Sequence, residues 1–183
     1  MKLTYESYAI EIVQDEDASS PRDWDNLGEI LYTSTRYELG DRRVSSEEIQ
    51  EIMDDDNEIW LPVYAYIHSG IWLATTPFSC PWDSGMCGII HVSKKDVYKE
   101  YGTTGTRDAF GDARARLRSE IETLNQWFTG DVYGYTITDE AGEFLDSCWG
   151  FFGLDYCKEE ALSVARHIYE HAYHQAPLDL QPA

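Results

Sequence analysis

The sequence is short of positive charge. Its 183 residues include 14 lysines and arginines, of which five are lysines, against 34 aspartates and glutamates. The resulting net charge of −20 repels nucleic acid and anionic membranes, so we expect the protein to bind neither directly. Basic proteins, cations and the grooves of nucleic-acid-binding proteins remain as partners that this charge attracts.

The sequence also lacks long apolar runs, and we expect no secretory leader. Residues 1–20 contain one lysine and no extended apolar core, unlike a signal peptide. No stretch approaches the roughly 20 apolar residues that a membrane-spanning helix needs. We therefore expect a cytoplasmic protein, in which the four cysteines are thiols in a reducing compartment rather than a disulfide scaffold.

Signatures of catalysis are absent as well. The sequence has no phosphate-binding glycine loop, no Gly-x-Ser-x-Gly elbow and no His-Glu-x-x-His motif. Cys80, Cys87, Cys148 and Cys157 are separated by 6, 60 and 8 residues, whereas structural zinc sites use cysteine pairs about two to four residues apart. We predict no metal site, no cofactor and no catalytic residue.

One enzymatic alternative stays open. His68, Cys80 and Asp83 are residue types that can serve as base, nucleophile and orienting group. A small cysteine- or metal-dependent enzyme that uses these three residues is therefore the alternative to a binding protein. The sequence does not show that the three side chains meet in space.

The composition predicts a folded α+β protein. Apolar residues make up 43% of the chain, with 13 tyrosines, six tryptophans and six phenylalanines, which is too aromatic for a disordered acidic tail. We expect one domain over residues 1–174, with a mostly antiparallel sheet, two longer helices and one short acidic helix, and a flexible tail over 175–183. The predicted strands are 3–13, 27–32, 60–67, 71–75, 88–92, 132–138 and 144–151. The predicted helices are 45–56, 94–101, 107–128 and 156–173.

Negative charge is concentrated near the start of the chain. The first 58 residues hold 17 of the acidic residues and five basic ones. Helix 45–56 begins with Ser45 and Glu48 in the spacing of a capping box. Acidic residues then recur at helical steps of three and four, at Glu47, Glu51, Asp54 (or Asp55) and Glu58. Together with the acidic loop 14–25, this helix supplies the predicted partner-binding residues. They are Asp15, Glu16, Asp17, Asp23, Asp25, Glu47, Glu48, Glu51, Asp54, Asp55, Asp56 and Glu58.

A row of carboxylates on one helix face can imitate a phosphate backbone. Neighbours at these steps lie about 5–6 Å apart, and B-DNA carries one charge per about 3.4 Å on each strand. Such a row would occupy a basic groove that was built for DNA. The alternative is a solvated helix face whose charge serves solubility or reflects a generally acidic proteome.

Several blocks of the sequence form a pattern. They are Trp24-Asp25-Asn26-Leu27-Gly28, Leu39-Gly40-Asp41, His68-Ser69-Gly70-Ile71, Thr76-Pro77-Phe78-Ser79-Cys80-Pro81-Trp82-Asp83-Ser84-Gly85, Gly88-Ile89-Ile90 and Leu145-Asp146-Ser147-Cys148-Trp149-Gly150-Phe151. The pattern resembles a family of small acidic proteins of bacteriophages and other mobile elements. The resemblance supplies no catalytic residue. It implies action in the cytoplasm of a host cell and, by association, antagonism of host defence of the anti-CRISPR or anti-restriction kind.

The resulting hypothesis is a non-enzymatic inhibitor. Its acidic surface would bind the basic groove of a host complex that targets nucleic acid. A phage structural or accessory protein is a further alternative, in which the acidity serves solubility alone.

The last of the sequence blocks, residues 145–151, contains Trp149. We expect this side chain to pack in the core.

Overall fold

The computed structural model describes residues 1–80, 82–102 and 108–175. Within these residues the chain is an α+β protein, as predicted, with nine strands and four α-helices. The strands are β1 (Lys2–Tyr5), β2 (Tyr8–Gln14), β3 (Glu29–Tyr32), β4 (Arg42–Arg43), β5 (Glu58–Ile67), β6 (Ile71–Ala74), β7 (Ser84–Ser93), β8 (Val132–Thr138) and β9 (Phe144–Phe152). The helices are α1 (Ser46–Met53), α2 (Lys94–Tyr101), α3 (Ala109–Thr129) and α4 (Leu154–Gln175).

The chain divides into two compact units. The terminal unit combines residues 1–19 with residues from Gly130 onward, and the central unit comprises residues 20–129. A single domain over 1–174 stays a prediction. The tail predicted for 175–183 lies, from residue 176, outside the described residues.

The terminal unit is an antiparallel sheet of strand order β1-β2-β8-β9, on which α4 packs. Alternation along β2 turns Ile10 and Ile12 toward the core, where they cluster with Ala161 and Ala165 of α4. The run predicted as one strand over 3–13 is a hairpin, because the chain turns at Glu6, where φ is +50°. Apolar and polar residues alternate on both sides of this turn, so the sequence pattern does not reveal where the first strand ends.

The central unit is a five-stranded sheet of order β4-β3-β7-β5-β6, in which only the β3–β4 pair is parallel. Helix α3 covers one face through its buried stripe, which includes Leu117 and Ile121. Helix α1 contributes Ile49 to a smaller cluster with Leu31 and Ile89. Successive residues of β3 and β7 therefore enter two different apolar clusters, which is why these strands are continuous apolar runs in the sequence.

Strand β7 is longer than its predicted apolar part. It extends from Ser84 to Ser93, whereas the sequence predicts a strand over 88–92. Its pairing with β5 shifts between Val63 and Tyr64, which leaves Cys87 as an extra residue between Met86 and Gly88. A bulge of this kind changes the direction of the neighbouring side chains.

Candidate functional site

Helix α1 begins with the predicted cap. The Ser45 hydroxyl accepts a hydrogen bond from the Glu48 backbone amide at 3.2 Å. Hydrogen bonds from its own backbone amide and from the Ser45 hydroxyl lower the pKa of the exposed Glu47 carboxyl. Carboxylates in this first turn are favourable, because they face the positive end of the helix dipole.

The C-terminal end of α1 has the opposite electrostatics. The helix ends at Met53, Asp54 is its cap, and Asp55 and Asp56 follow. No basic residue lies in the last turn. Carboxylates at this end face the negative end of the helix dipole and destabilise the helix, although Asp54 accepts a hydrogen bond from Gln50 at 2.9 Å. Helix stability therefore does not explain the charge at this end.

Two of the predicted acidic residues, Glu48 and Glu58, pair with an arginine or histidine side chain of the protein. Glu48 pairs with Arg42 at 2.6 Å, and Arg42 also contacts Glu29. Glu58 does not continue the helical row, because α1 ends at Met53 and residue 58 begins β5. Its carboxylate lies 2.9 Å from Nδ1 of His91.

The other acidic residues of α1 and of the segment after it face solvent. These five exposed residues are Glu47, Glu51, Asp54, Asp55 and Asp56. Among the described residues, no lysine or arginine forms an ion pair with any of the five. Glu47, Glu51 and Asp54 follow one another on a single side of the helix, and we call these three residues the acidic row.

The predicted loop residues belong to different units. Asp15, Glu16 and Asp17 lie in the terminal unit, whereas Asp23 and Asp25 lie in the central unit and are exposed. Asp15 accepts hydrogen bonds from the backbone amides of Asp17 and Gly150. Asp15 thus has a structural contact within its own unit in addition to its charge.

A buried carboxylate that sequence reasoning missed organises the central unit. Glu120 of α3 is 7% exposed. It accepts hydrogen bonds from the backbone amides of Leu27 (2.7 Å) and Gly28 (3.2 Å), and from Arg22 at 3.1 Å. Arg22 also binds Asp41 through two nitrogens, at 2.9 and 2.7 Å. We call Arg22, Asp41 and Glu120 the Glu120 cluster.

The Glu120 cluster connects two of the sequence blocks singled out above, Trp24–Gly28 and Leu39–Asp41. Gly28 has no room for a side chain, because a Cβ there would overlap a Leu117 methyl group. These blocks therefore have a structural role in the core of the central unit. Helical spacing could have predicted the burial of Glu120, because this residue lies between Leu117 and Leu124 in the apolar stripe of α3.

No family model, curated protein or solved structure matches this chain. The described residues also contain no helix that is both long and apolar enough for a membrane span.

The residues of the enzymatic alternative are only partly brought together. Nδ1 of His68 lies 3.7 Å from the Asp83 carboxylate, and both side chains are exposed. This separation exceeds the hydrogen-bond distance of about 2.6–3.2 Å that a base and its orienting group need. The Cys80 carbonyl accepts a hydrogen bond from the Ser84 hydroxyl. The enzymatic alternative stays a prediction, and Pro81 of the same loop lies outside the described residues.

Trp149 corrects an expectation. The sequence predicts it in the core, but it is 51% exposed. The pairing of β8 with β9 is irregular between Tyr133 and Tyr135, and Gly150 has a φ of +81°. Trp149 lies over Gly134 instead, where a Cβ in place of the glycine hydrogen would overlap the indole ring.

The cysteines show no metal-binding arrangement. All four are free thiols, and the described residues contain no group of three potential metal ligands. Burial raises the pKa of Cys87 to about 12 and also raises the pKa of Cys157. These two thiols are therefore protonated near neutral pH, which makes them poor nucleophiles.

Proposed function

We propose that the protein is a non-enzymatic binding protein whose acidic surface, led by α1, occupies a basic groove of a nucleic-acid-handling complex. The observation that carries the proposal is the group of exposed carboxylates on and after α1 that no cation in the described residues neutralises. Carboxylates at the C-terminal end of a helix reduce its stability. Their presence there is accounted for if a partner supplies the missing positive charge.

The resemblance to mobile-element proteins supports the finer part of the proposal. In that setting the partner is a host defence complex, of the CRISPR or restriction type, whose lysines and arginines normally bind nucleic acid. The protein would act in the host cytoplasm and compete with the nucleic acid for this groove. Its twelve predicted binding residues contribute unequally, because Glu48, Glu58 and Asp15 already have partners within their own unit.

Charge reversal of the acidic row tests the proposal. Glu47→Lys, Glu51→Lys and Asp54→Lys together change the net charge from −20 to −14. We expect this variant to lose the host proteins that the wild-type protein captures from lysate at low salt, as identified by mass spectrometry. Capture by the wild-type protein should itself fall as salt rises, because exposed charges are screened beyond about 8–10 Å at physiological ionic strength.

A matched control separates the effect of the acidic row from that of net charge. Glu140→Lys, Glu143→Lys and Glu159→Lys produce the same net charge from three exposed residues of the terminal unit. This control should retain capture. Equal loss of capture in both variants, or full capture by the acidic-row variant, would show that the proposed surface is wrong.

A cellular assay addresses the finer part. Host cells with an active CRISPR or restriction system should become permissive to a targeted phage when they express the wild-type protein. The acidic-row variant should leave those cells resistant. Permissiveness that is independent of the acidic row would separate anti-defence activity from this surface.

A further inference from the structure

A groove lies beside the acidic row, entirely within the central unit. It has a volume of about 230 Å³, which is below the roughly 300–1,000 Å³ of most small-molecule sites. Helix α1 and strand β7 line it with Ile49, Met53 and Met86, and Gln50 and Thr33 complete its walls. The size fits the anchoring side chain of a larger partner better than it fits a whole metabolite. We call it the methionine groove.

The bulge in β7 shapes this groove. Cys87 is the extra residue, and its thiol donates to the Val63 carbonyl at 3.4 Å. Met86, next to the bulge, is 44% exposed. Gly88 allows β7 to approach β3 closely, because a Cβ there would collide with the Leu31 carbonyl. Unbranched methionine side chains adapt to differently shaped apolar partners, which suits a binding surface.

The acidic row flanks the methionine groove. Ser46, Gln50 and Met53 of α1 line the groove, and each is followed by one residue of the acidic row, Glu47, Glu51 or Asp54. Since successive residues of an α-helix differ by about 100° around its axis, the row forms the neighbouring stripe on the solvent side. No lysine or arginine of the described residues lines the groove. An occupant would therefore meet an apolar floor with carboxylates along one side.

We propose that the methionine groove and the acidic row together bind a cationic protein segment that inserts an apolar side chain between its lysines or arginines. This inference rests on the proposed function and specifies its partner. Mimicry of phosphate charge would account for the acidic row, but it would give the methionine groove no role in binding. A peptide segment with an apolar anchor uses both, because the anchor is desolvated in the groove while its cations pair with the row.

Methyl NMR gives a site-specific test. The chain contains three methionines, of which Met53 and Met86 line the groove and Met1 does not. The probes are a lysine-rich synthetic peptide that carries leucines and a peptide of equal length and charge that carries serines instead. With the leucine peptide, the methyl signals of Met53 and Met86 should shift while that of Met1 stays unchanged. The leucine peptide should also bind about tenfold more tightly near physiological salt.

Substitution of Met86 provides the matched variants. Met86→Ser should remove the preference for the leucine peptide over the serine peptide, whereas Met86→Leu should keep the preference. Because Met86 is 44% exposed, both variants should fold, and thermal unfolding checks this. Reversal of the acidic row should weaken binding of both peptides.

The outcomes separate the two proposals. If wild-type protein binds both peptides equally and the signals of Met53 and Met86 do not shift, the groove is not a binding site, while the acidic surface can still bind a basic groove. If wild-type protein binds neither peptide at low salt, both proposals fail. If the Met86→Ser variant still binds the leucine peptide more tightly than the serine peptide, the groove does not bind the apolar anchor.

Discussion

Glu120 shows how a single carboxylate holds the central unit together. Its replacement by alanine would leave the amides of Leu27 and Gly28 without their acceptor and remove one partner of Arg22. Breaking a buried ion pair by removal of one partner typically costs about 3–5 kcal/mol. We expect Glu120→Ala to lower the free energy of unfolding, measured by urea denaturation, by about 3 kcal/mol, since Arg22 keeps Asp41.

Two further variants define the origin of this effect. Glu120→Gln keeps one acceptor oxygen, which can serve one of the two amides, so it should lose less than Glu120→Ala, about 1–2 kcal/mol. Glu122→Ala removes an exposed carboxylate from the same helix and should change stability by less than about 0.5 kcal/mol. Similar losses for Glu120→Ala and Glu122→Ala would contradict a structural role of the buried cluster.

Helix α1 joins the stability of the fold to the proposed binding surface. Asp54 caps its C-terminal end, where a negative charge opposes the helix dipole. Asp54→Asn keeps an oxygen that can accept from Gln50 and removes the charge. We therefore expect this variant to raise the free energy of unfolding by about 0.3–1 kcal/mol at low salt. The gain should shrink at high salt, and Glu140→Gln, which lies outside the helices, should give no such gain. A loss of stability in Asp54→Asn would mean that its charge is needed for the fold.

An element could be predicted from the sequence when the residues that define it lie close to it in the chain. The Ser45 cap of α1 and the apolar stripe of α3 lie within or next to the helices that they define, and the structure has these helices. Division of the strands into two sheets, the extra residue at Cys87 and the exposure of Trp149 depend on pairing between distant strands. No local pattern encodes these pairings.

The same distinction applies to the candidate surface. The acidic row follows from helical spacing alone, so Glu47, Glu51 and Asp54 were predictable. Glu58 was wrongly continued into the row because the spacing persists beyond Met53, where the chain turns: the Glu58 amide donates to the Asp55 carbonyl. The methionine groove needed the approach of β7 to α1, which links residues more than 30 positions apart.

At the scale of the whole molecule, the charge of −20 makes salt act on stability and on binding with opposite signs. Like charges repel within the folded chain, so screening by added salt should raise the melting temperature between low and physiological ionic strength. Over the same range, capture of a basic partner should weaken. Reversal of Glu47, Glu51 and Asp54 and reversal of Glu140, Glu143 and Glu159 leave the same net charge of −14. Both variants should therefore reduce the salt dependence of the melting temperature by a similar amount, while only the first loses binding. Calorimetry across a salt series would contradict this account if the melting temperature fell with salt, since ion pairs rather than repulsion would then dominate the electrostatics of the fold.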